Sequence, residues 1–331
     1  MKLGAHFLPE NFTDFVESVR SAEHAGYERA WLVDGQMLWQ DLYVYMTHAL
    51  AVTERIVVGS GVTNPLTRHP SVTASAHATL ADLHPGRVVL GIGRGDNAVR
   101  TLGLKPVPTA ELAETVPLLR AWMAGEEAGG THIRWADERV PIMLCATGPK
   151  NLRLAGALAD IAMIYVGVHP ASVRWAIDHV RAGAEEAGRD PDDVEIAALC
   201  AMHVSDDQEE AWEQCRWAPA ACANHIAYAL KWNPEHGMPE EMTRLVAARE
   251  EYDYFAGHLD SSAEHTSYLT GELVDDFVVA GPVERCLEKI GELGKLGVDE
   301  VSAAYLNGRF EQMELVGQAI VPALEAREVG A

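Results

Sequence analysis

The chain has 331 residues, 48% of them hydrophobic and 23% charged, with 26 basic against 49 acidic side chains and a formal charge of −23. That excess of negative charge excludes a nucleic acid or an anionic lipid surface as a partner, since both demand a basic face. The composition is that of a soluble globular protein, long enough to bury a sizeable core.

The five cysteines (Cys145, Cys200, Cys215, Cys222 and Cys286) lack paired spacing. They read as reduced thiols of a cytoplasmic protein, not as a disulfide frame or a zinc site. The opening MKLGAHFLPENF turns polar too soon for a secretion signal, and no run approaches a membrane span.

In chain order, Lys2 to Phe7 reads as an apolar strand ending in Pro9, Glu10 and Asn11. Thr13 is placed to cap a helix with Phe15, Val19 and Ala22 on one face, and Gly26 stops it. A strand from Ala30 to Val33 ends at Asp34 and Gly35, and a helix over Leu42 to Val52 follows. The next strand, Ile56 to Val62, runs into Thr63-Asn64-Pro65. The Pro70 to Leu83 segment, with Ala74, His77, Ala78 and Ala81 at helical spacing, leads to the strand Val88 to Ile92 and the run Gly93-Arg94-Gly95-Asp96.

A helix over Glu111 to Met123 precedes the strand Ile142 to Cys145, which ends in Ala146-Thr147-Gly148-Pro149-Lys150. Then come a helix (Asn151 to Leu158), a strand (Ile161 to Val166), a helix (Ser172 to Ala187), a strand (Val194 to Val204) and a helix opened by Ser205-Asp206-Asp207. Residues 216–276, rich in His, Trp and Tyr, have the least regular spacing and are expected to be inserted helices and loops. A helix after Gly281-Pro282, a strand from Val298 to Leu306 and a helix from Phe310 to Ala326 complete the pattern.

This is an alternation of about eight strand–helix units over a single domain spanning 1–331, the signature of a (β/α)8 TIM barrel with an insertion. A doubly wound sheet alternates in the same way. The number of units and the polar residues at nearly every strand's C-terminal end favour the barrel, which gathers those ends at one mouth.

Four groups of residues at those ends invite chemistry. Gly91-Ile92-Gly93-Arg94-Gly95 lacks the dinucleotide spacing, and its glycines permit either a tight turn or a close approach to a flat ring system. Gly148-Pro149 directly before a helix, with Lys150 and Arg153, forms either a phosphate site at the helix N-terminus or an ordinary capped start. Gly59 to Pro65 is either a strand-to-turn transition or a bulge against a ligand. His6, Glu10, Asp34, Trp39 and Asp96 act as local hydrogen-bonding residues or, converging at a barrel mouth, as proton-exchanging groups. His225, His236, His258 and His265 line a substrate pocket or lie at the surface, and no histidine has metal-ligand spacing.

Taken together, Val62-Thr63-Asn64-Pro65, Arg68, Pro70, Thr73-Ala74-Ser75, Gly86-Arg87 and Leu90-Gly91-Ile92-Gly93-x-Gly95-Asp96 resemble the methylenetetrahydromethanopterin reductases. These belong to the bacterial luciferase-like superfamily of (β/α)8 flavin and deazaflavin enzymes. Ala146 to Lys150, Leu154-Ala155-Gly156, Ala159-Asp160 and Gly281-Pro282 continue the match over essentially the whole chain.

The resemblance implies an oxidoreductase that transfers hydride between coenzyme F420 and a small organic substrate. Two alternatives are an FMN-dependent monooxygenase of a two-component system and a non-catalytic flavin-binding barrel. It further implies a ring system against Gly61–Val62, often joined by a cis peptide in this family, with Asp34, Thr63 and Asn64 about its polar edge. Gly91, Gly93, Gly95 and Asp96 would flank the ribityl side, and Ala146, Thr147, Gly148, Pro149 and Lys150 would hold the phosphate. Trp39 would form a pocket wall, and His6, Glu10 and Asp96 would manage protons. A homodimer is expected on the same ground, and a separate flavin or F420 reductase is an expected partner. The chain departs at Gly35, where the similar F420-dependent glucose-6-phosphate dehydrogenases carry histidine, and at His6, where the reductase carries glutamate.

Overall fold

The computed structural model describes residues 1–232, 237–249, 252, 254, 257–305 and 309–324. Strand β1 (Lys2–Phe7) leads through helix α1 (Phe12–His24) to β2 (Arg29–Leu32). Helix α2 (Leu42–Val52), β3 (Val57–Ser60), α3 (Pro70–Leu83) and β4 (Val88–Ile92) come next. The short α4 (Asn97–Arg100) and α5 (Thr109–Met123) then lead to β5 (Ile142–Ala146), α6 (Pro149–Leu158) and β6 (Ile161–Ile164). After α7 (Pro170–Glu186) and β7 (Glu195–Val204) come four helices: α8 (Gln208–Cys215), α9 (Trp217–Trp232), α10 (Glu240–Ala248) and α11 (Gly271–Asp275). The described chain ends with β8 (Val278–Gly281), α12 (Val283–Leu296), β9 (Glu300–Ala304) and α13 (Phe310–Ala319).

All the strand pairs are parallel. Strands β1 to β7 pair in sequence order, and β9 pairs with both β7 and β1, which closes a ring of eight. This is the expected (β/α)8 barrel, and the eight ring strands are those legible in the sequence. Strand β8 lies outside the ring, pairing with Ala201–Val204 at the upper end of β7. Its lead-in residue Asp276 offers a carbonyl to the N–H groups of Val168 and His169, beyond the end of β6.

Local chemistry accounts for several boundaries that differ from the sequence reading. Helix α1 starts at Phe12, one residue before the expected cap Thr13, because Asn11 turns the chain in a left-handed conformation (φ 40°) and its amide bonds Asp14. Strand β3 stops at Ser60, where the Gly61–Val62 peptide is cis and Thr63 makes an isolated bridge to Ile92. Within residues 216–276, α9 forms from a long alanine-rich run whose lack of polar contrast hid its period. His236, Leu306 and the expected helix end at Ala326 lie outside the described residues. No helix among the described residues is long and apolar enough to cross a membrane.

The barrel interior is filled by Trp31, Val89, Met143, Ile161, Met163 and Ala197. The Trp31 indole is completely buried, and its Nε1–H donates to Glu300 Oε1 at 2.9 Å. Arg29 joins Glu300 to Glu195, and Glu195 also accepts from Lys2 Nζ at 2.9 Å, which satisfies the buried charges on that side of the indole. Gly59 leaves room for the ring: a Cβ there would lie 2.4 Å from Trp31 Cζ3. Replacing Trp31 with alanine is expected to cost about 3–5 kcal/mol of unfolding free energy, measured as a lowered urea midpoint with little change in slope.

Candidate active site

A cavity of about 260 Å³ opens above this plug at the C-terminal ends of the strands, where a parallel barrel places its ligand. Its floor and near walls are His6 from β1, Asp34 beyond β2, Gly61, Val62 and Asn64 beyond β3, and Gly93 to Asp96 beyond β4. Thr147, Gly148 and Asn151 form the wall at the start of α6, and Tyr165 stands beyond β6. One face of α9, carrying Ala218, Ala221, His225 and Tyr228, makes the roof, and His258 stands close to Trp39 with ring centroids 5.5 Å apart.

His6 lies against Trp31 (centroids 6.4 Å apart), and its Nε2 is 3.0 Å from Ser302 Oγ. Burial pulls its pKa down to about 3, so the imidazole is neutral at physiological pH. Asp34 accepts from Thr63 Oγ1 at 2.7 Å and is paired with Arg68, which also reaches Asp41 Oδ2 at 2.9 Å. Asp41 in turn caps α2 through the N–H groups of Tyr43 and Val44. A carboxylate at the cavity wall is thus tied through one guanidinium to the start of a helix. Asn64 also serves its own loop, its Oδ1 accepting from Leu66 N and Thr67 N.

Asp96 is the most heavily engaged acid at the mouth. Its Oδ1 takes Arg100 Nε at 2.6 Å, its Oδ2 takes Tyr254 OH at 2.7 Å, and His225 Nε2 stands 3.4 Å from Oδ2. Burial penalises the charge, yet His225, Tyr254 and Arg100 together hold the carboxyl below its ordinary range. Asp96 is therefore an anion and not a proton donor at neutral pH.

The structure brings together His6, Trp39, Asp96, Asp34, Gly61, Val62, Asn64, Gly93, Gly95, Thr147 and Gly148 around the cavity and keeps the other expected site residues off its lining. Glu10 lies past β1 toward Tyr45, and burial raises its pKa. Thr63 is fully buried behind the wall as the donor to Asp34. Gly91 packs on β3, where a Cβ would meet the Ser60 carbonyl oxygen at 1.8 Å. Ala146 and Pro149 are buried beneath the α6 start.

Lys150 points to solvent, and Arg153 is paired with Glu186, so neither supplies positive charge to the cavity. The cations on its wall are Arg94 and Arg100, whose guanidinium carbons lie 5.9 and 4.5 Å from the centroid of the Tyr228 ring. Sequence reasoning passed over both: one lies within the glycine run and the other five residues after it, and spacing does not show which way either side chain turns. Of the other expected pocket histidines, His225 and His258 line the cavity, whereas His265 is buried against Tyr252. Gly35 also has a spatial explanation: a Cβ there would lie 2.8 Å from Trp39 Cε3, so the indole occupies the space that a side chain at this position would need.

A closed parallel barrel with one deep pocket at its C-terminal rim, lined by glycine turns and a helix start, defines a (β/α)8 ligand-binding protein of the kind that hosts planar cofactors. The chain belongs to the luciferase-like monooxygenase family, whose model matches residues 2–300. It is 28% identical over 340 residues to a 5,10-methylenetetrahydromethanopterin reductase of Methanolobus tindarius, covering 97% of this chain and 100% of the relative. It is 31% identical over 268 residues to an F420-dependent glucose-6-phosphate dehydrogenase of Nakamurella multipartita, covering 72% and 76% of the two chains. Among solved structures, the coenzyme F420-dependent tetrahydromethanopterin reductase of Methanopyrus kandleri superposes with a TM-score of 0.77 at 26% identity, covering 97% of this chain and 99% of that one. The family read from the motifs is the family of the chain.

The neutral state of His6 has a measurable consequence. Its folded-state value of about 3 lies below the ordinary 6.5, so the unfolded chain binds this proton first and stability falls as pH drops from about 6.5 toward 3. Unfolding free energy measured against pH is expected to decline less steeply over that window in His6→Gln than in the wild type.

Proposed function

We propose that the protein is an oxidoreductase that uses coenzyme F420 to move a hydride to or from a small organic substrate. What carries the reading is a cavity lined by Gly61, Gly93, Arg94, Gly95 and the start of α6, in a chain whose full-length relatives include an F420-dependent reductase. Residues without side chains let a flat ring approach backbone on that side. On the same cavity wall, a helix N-terminus at Gly148 and the half-buried Arg94 suit an anionic tail.

When bound, the deazaflavin would supply the hydride chemistry. The protein's share is orientation, exclusion of water and handling of the proton. Gly61, Val62, Gly93 and Gly95 would hold the ring, and Thr147, Gly148 and Arg94 the phosphate. Trp39, Tyr165 and the α9 face would pack on the substrate and keep water out. His6, neutral and held by Ser302, would offer a hydrogen bond near the ring without carrying charge.

The family's monooxygenase description favours FMN as the second reading. Titrating the isolated protein with each cofactor and following fluorescence decides between them. F420 is expected to bind at micromolar concentration or tighter, with FMN at least tenfold weaker, and Arg94→Ala is expected to weaken F420 by about 1.5–3 kcal/mol, as for a lost hydrogen bond to a charged group. Tight FMN binding without F420 binding would sink the proposal. A screen of carbonyl, imine and enone compounds with reduced F420 then identifies the substrate.

We further infer a homodimer. Helix α2 carries no charged residue and α3 only Asp82, and the two touch through Tyr43 and His77 while exposing Val44 and Val72. Light scattering is expected to give twice the mass of one chain, and Val44→Asp to lower it toward one.

A further inference from the structure

The hydride reaction needs a proton partner, and most groups on the cavity wall are unsuited to supply it. His6 and His258 are buried bases whose pKa values burial lowers to about 3 and about 4, so both are uncharged at neutral pH. Burial raises the Tyr165 phenol well above its usual value, making it a weak acid. Asp96 is an anion. His225 differs from all of these in its surroundings. It projects from the α9 face into the cavity roof with about a third of its side chain exposed, its Nε2 3.4 Å from the Asp96 carboxylate. Its ring stands edge-on to Tyr165 with centroids 5.3 Å apart.

We propose that His225, oriented and charge-balanced by Asp96, is the proton-donating group of this site, and that Tyr254 and Arg100 are positioning residues that fix the Asp96 carboxylate. The assignment rests on the F420-dependent reading and deepens it. Pairing Nε2 with Asp96 leaves Nδ1 as the ring nitrogen that meets the substrate. In the reducing direction, the deazaflavin, when bound, would supply the hydride for the new C–H bond at an electrophilic carbon doubly bonded to a heteroatom. The π pair of that carbon's double bond moves to its heteroatom, and the heteroatom takes the proton from Nδ1, leaving a neutral imidazole that solvent reprotonates. In the oxidising direction the same nitrogen accepts the proton.

Among the described residues, Arg100, Tyr254 and Tyr252 act electrostatically on the pair through Asp96, His258 acts across the pocket, and Tyr165 stands against the ring. The acid to be replaced lies on α9, whereas the cavity-lining glycines and the α6 start lie on the barrel rim. Loss of His225 therefore removes the proton without removing the cofactor site.

The test uses the full chain, with His225→Gln and His225→Ala. Affinity for F420 is expected to stay within threefold of wild type in both. With the best substrate of the reduced-F420 screen, kcat is expected to fall about 100-fold or more, with KM little changed. Imidazole added to His225→Ala is expected to restore part of the rate, which a packing role would not allow. Independently of turnover, carbon NMR of the Asp96 carboxyl in cofactor-free protein is expected to show its titration moving to higher pH in His225→Gln. Turnover of His225→Gln within threefold of wild type, or an unmoved Asp96 titration, overturns the assignment. Failure of the wild type to bind F420 instead overturns the function on which it was built.

Discussion

The buried pairing of Trp31 with Glu300 is the constraint on which the rest of the molecule depends. A closed ring of eight strands encloses space that side chains must fill. Here one indole takes much of it, and a carboxylate on the last ring strand satisfies its only polar atom. Glu300 is fully buried, and burial raises its carboxyl pKa, against which Arg29 and the Trp31 N–H beside it favour the charged form; Arg29 is held in turn by Glu195. The plug ties β1, β2, β7 and β9 together across the point where the ring closes. It also sets the level at which filled interior gives way to cavity, with His6 lying directly on the indole.

Above that level, the loops at the mouth are fixed by charge instead of apolar packing. Arg68 links Asp34 to Asp41 and so joins the loop beyond β2, the turn beyond β3 and the start of α2. Arg100 and Tyr254 do the same for Asp96, joining the loop beyond β4 to the segment that follows α10. Two carboxylates at one rim would repel if left unpaired. Each is instead paired with its own guanidinium, Arg68 for one and Arg100 for the other.

Much of the barrel was legible because each ring strand is a short apolar run ending in glycine or a polar residue, and each helix between them has a spacing or a cap that marks it. Strand β8 escaped notice because Val278–Gly281 is only four residues long and runs straight into the expected helix. Helix α9 falls in the stretch expected to hold helices and loops, but its many alanines weaken the polar contrast that would have marked its bounds. The candidate site was legible at His6, Asp34, Trp39, Gly61 and Asp96, which fall at strand ends or in the loops that follow them. It was not legible where side-chain direction decides the matter. Nothing in the order Gly148-Pro149-Lys150 says that the lysine turns outward, and nothing near Arg94 says that it turns inward. The ties from Asp96 to His225 and Tyr254 span more than a hundred residues, a range at which spacing carries no information.

The roof of the pocket has a different origin from its floor. Ala218, Ala221, His225 and Tyr228 recur at three- and four-residue intervals on a helix that contributes no strand to the ring and whose outer side is free of the barrel's pairing rules. Substitutions at Ala218 and Ala221 on that stripe would reshape the ceiling while leaving His225, the strand ends and the indole plug in place. A lineage built this way can trade one guest molecule for another by exchanging small residues of one helix, so long as the histidine on the same face is kept.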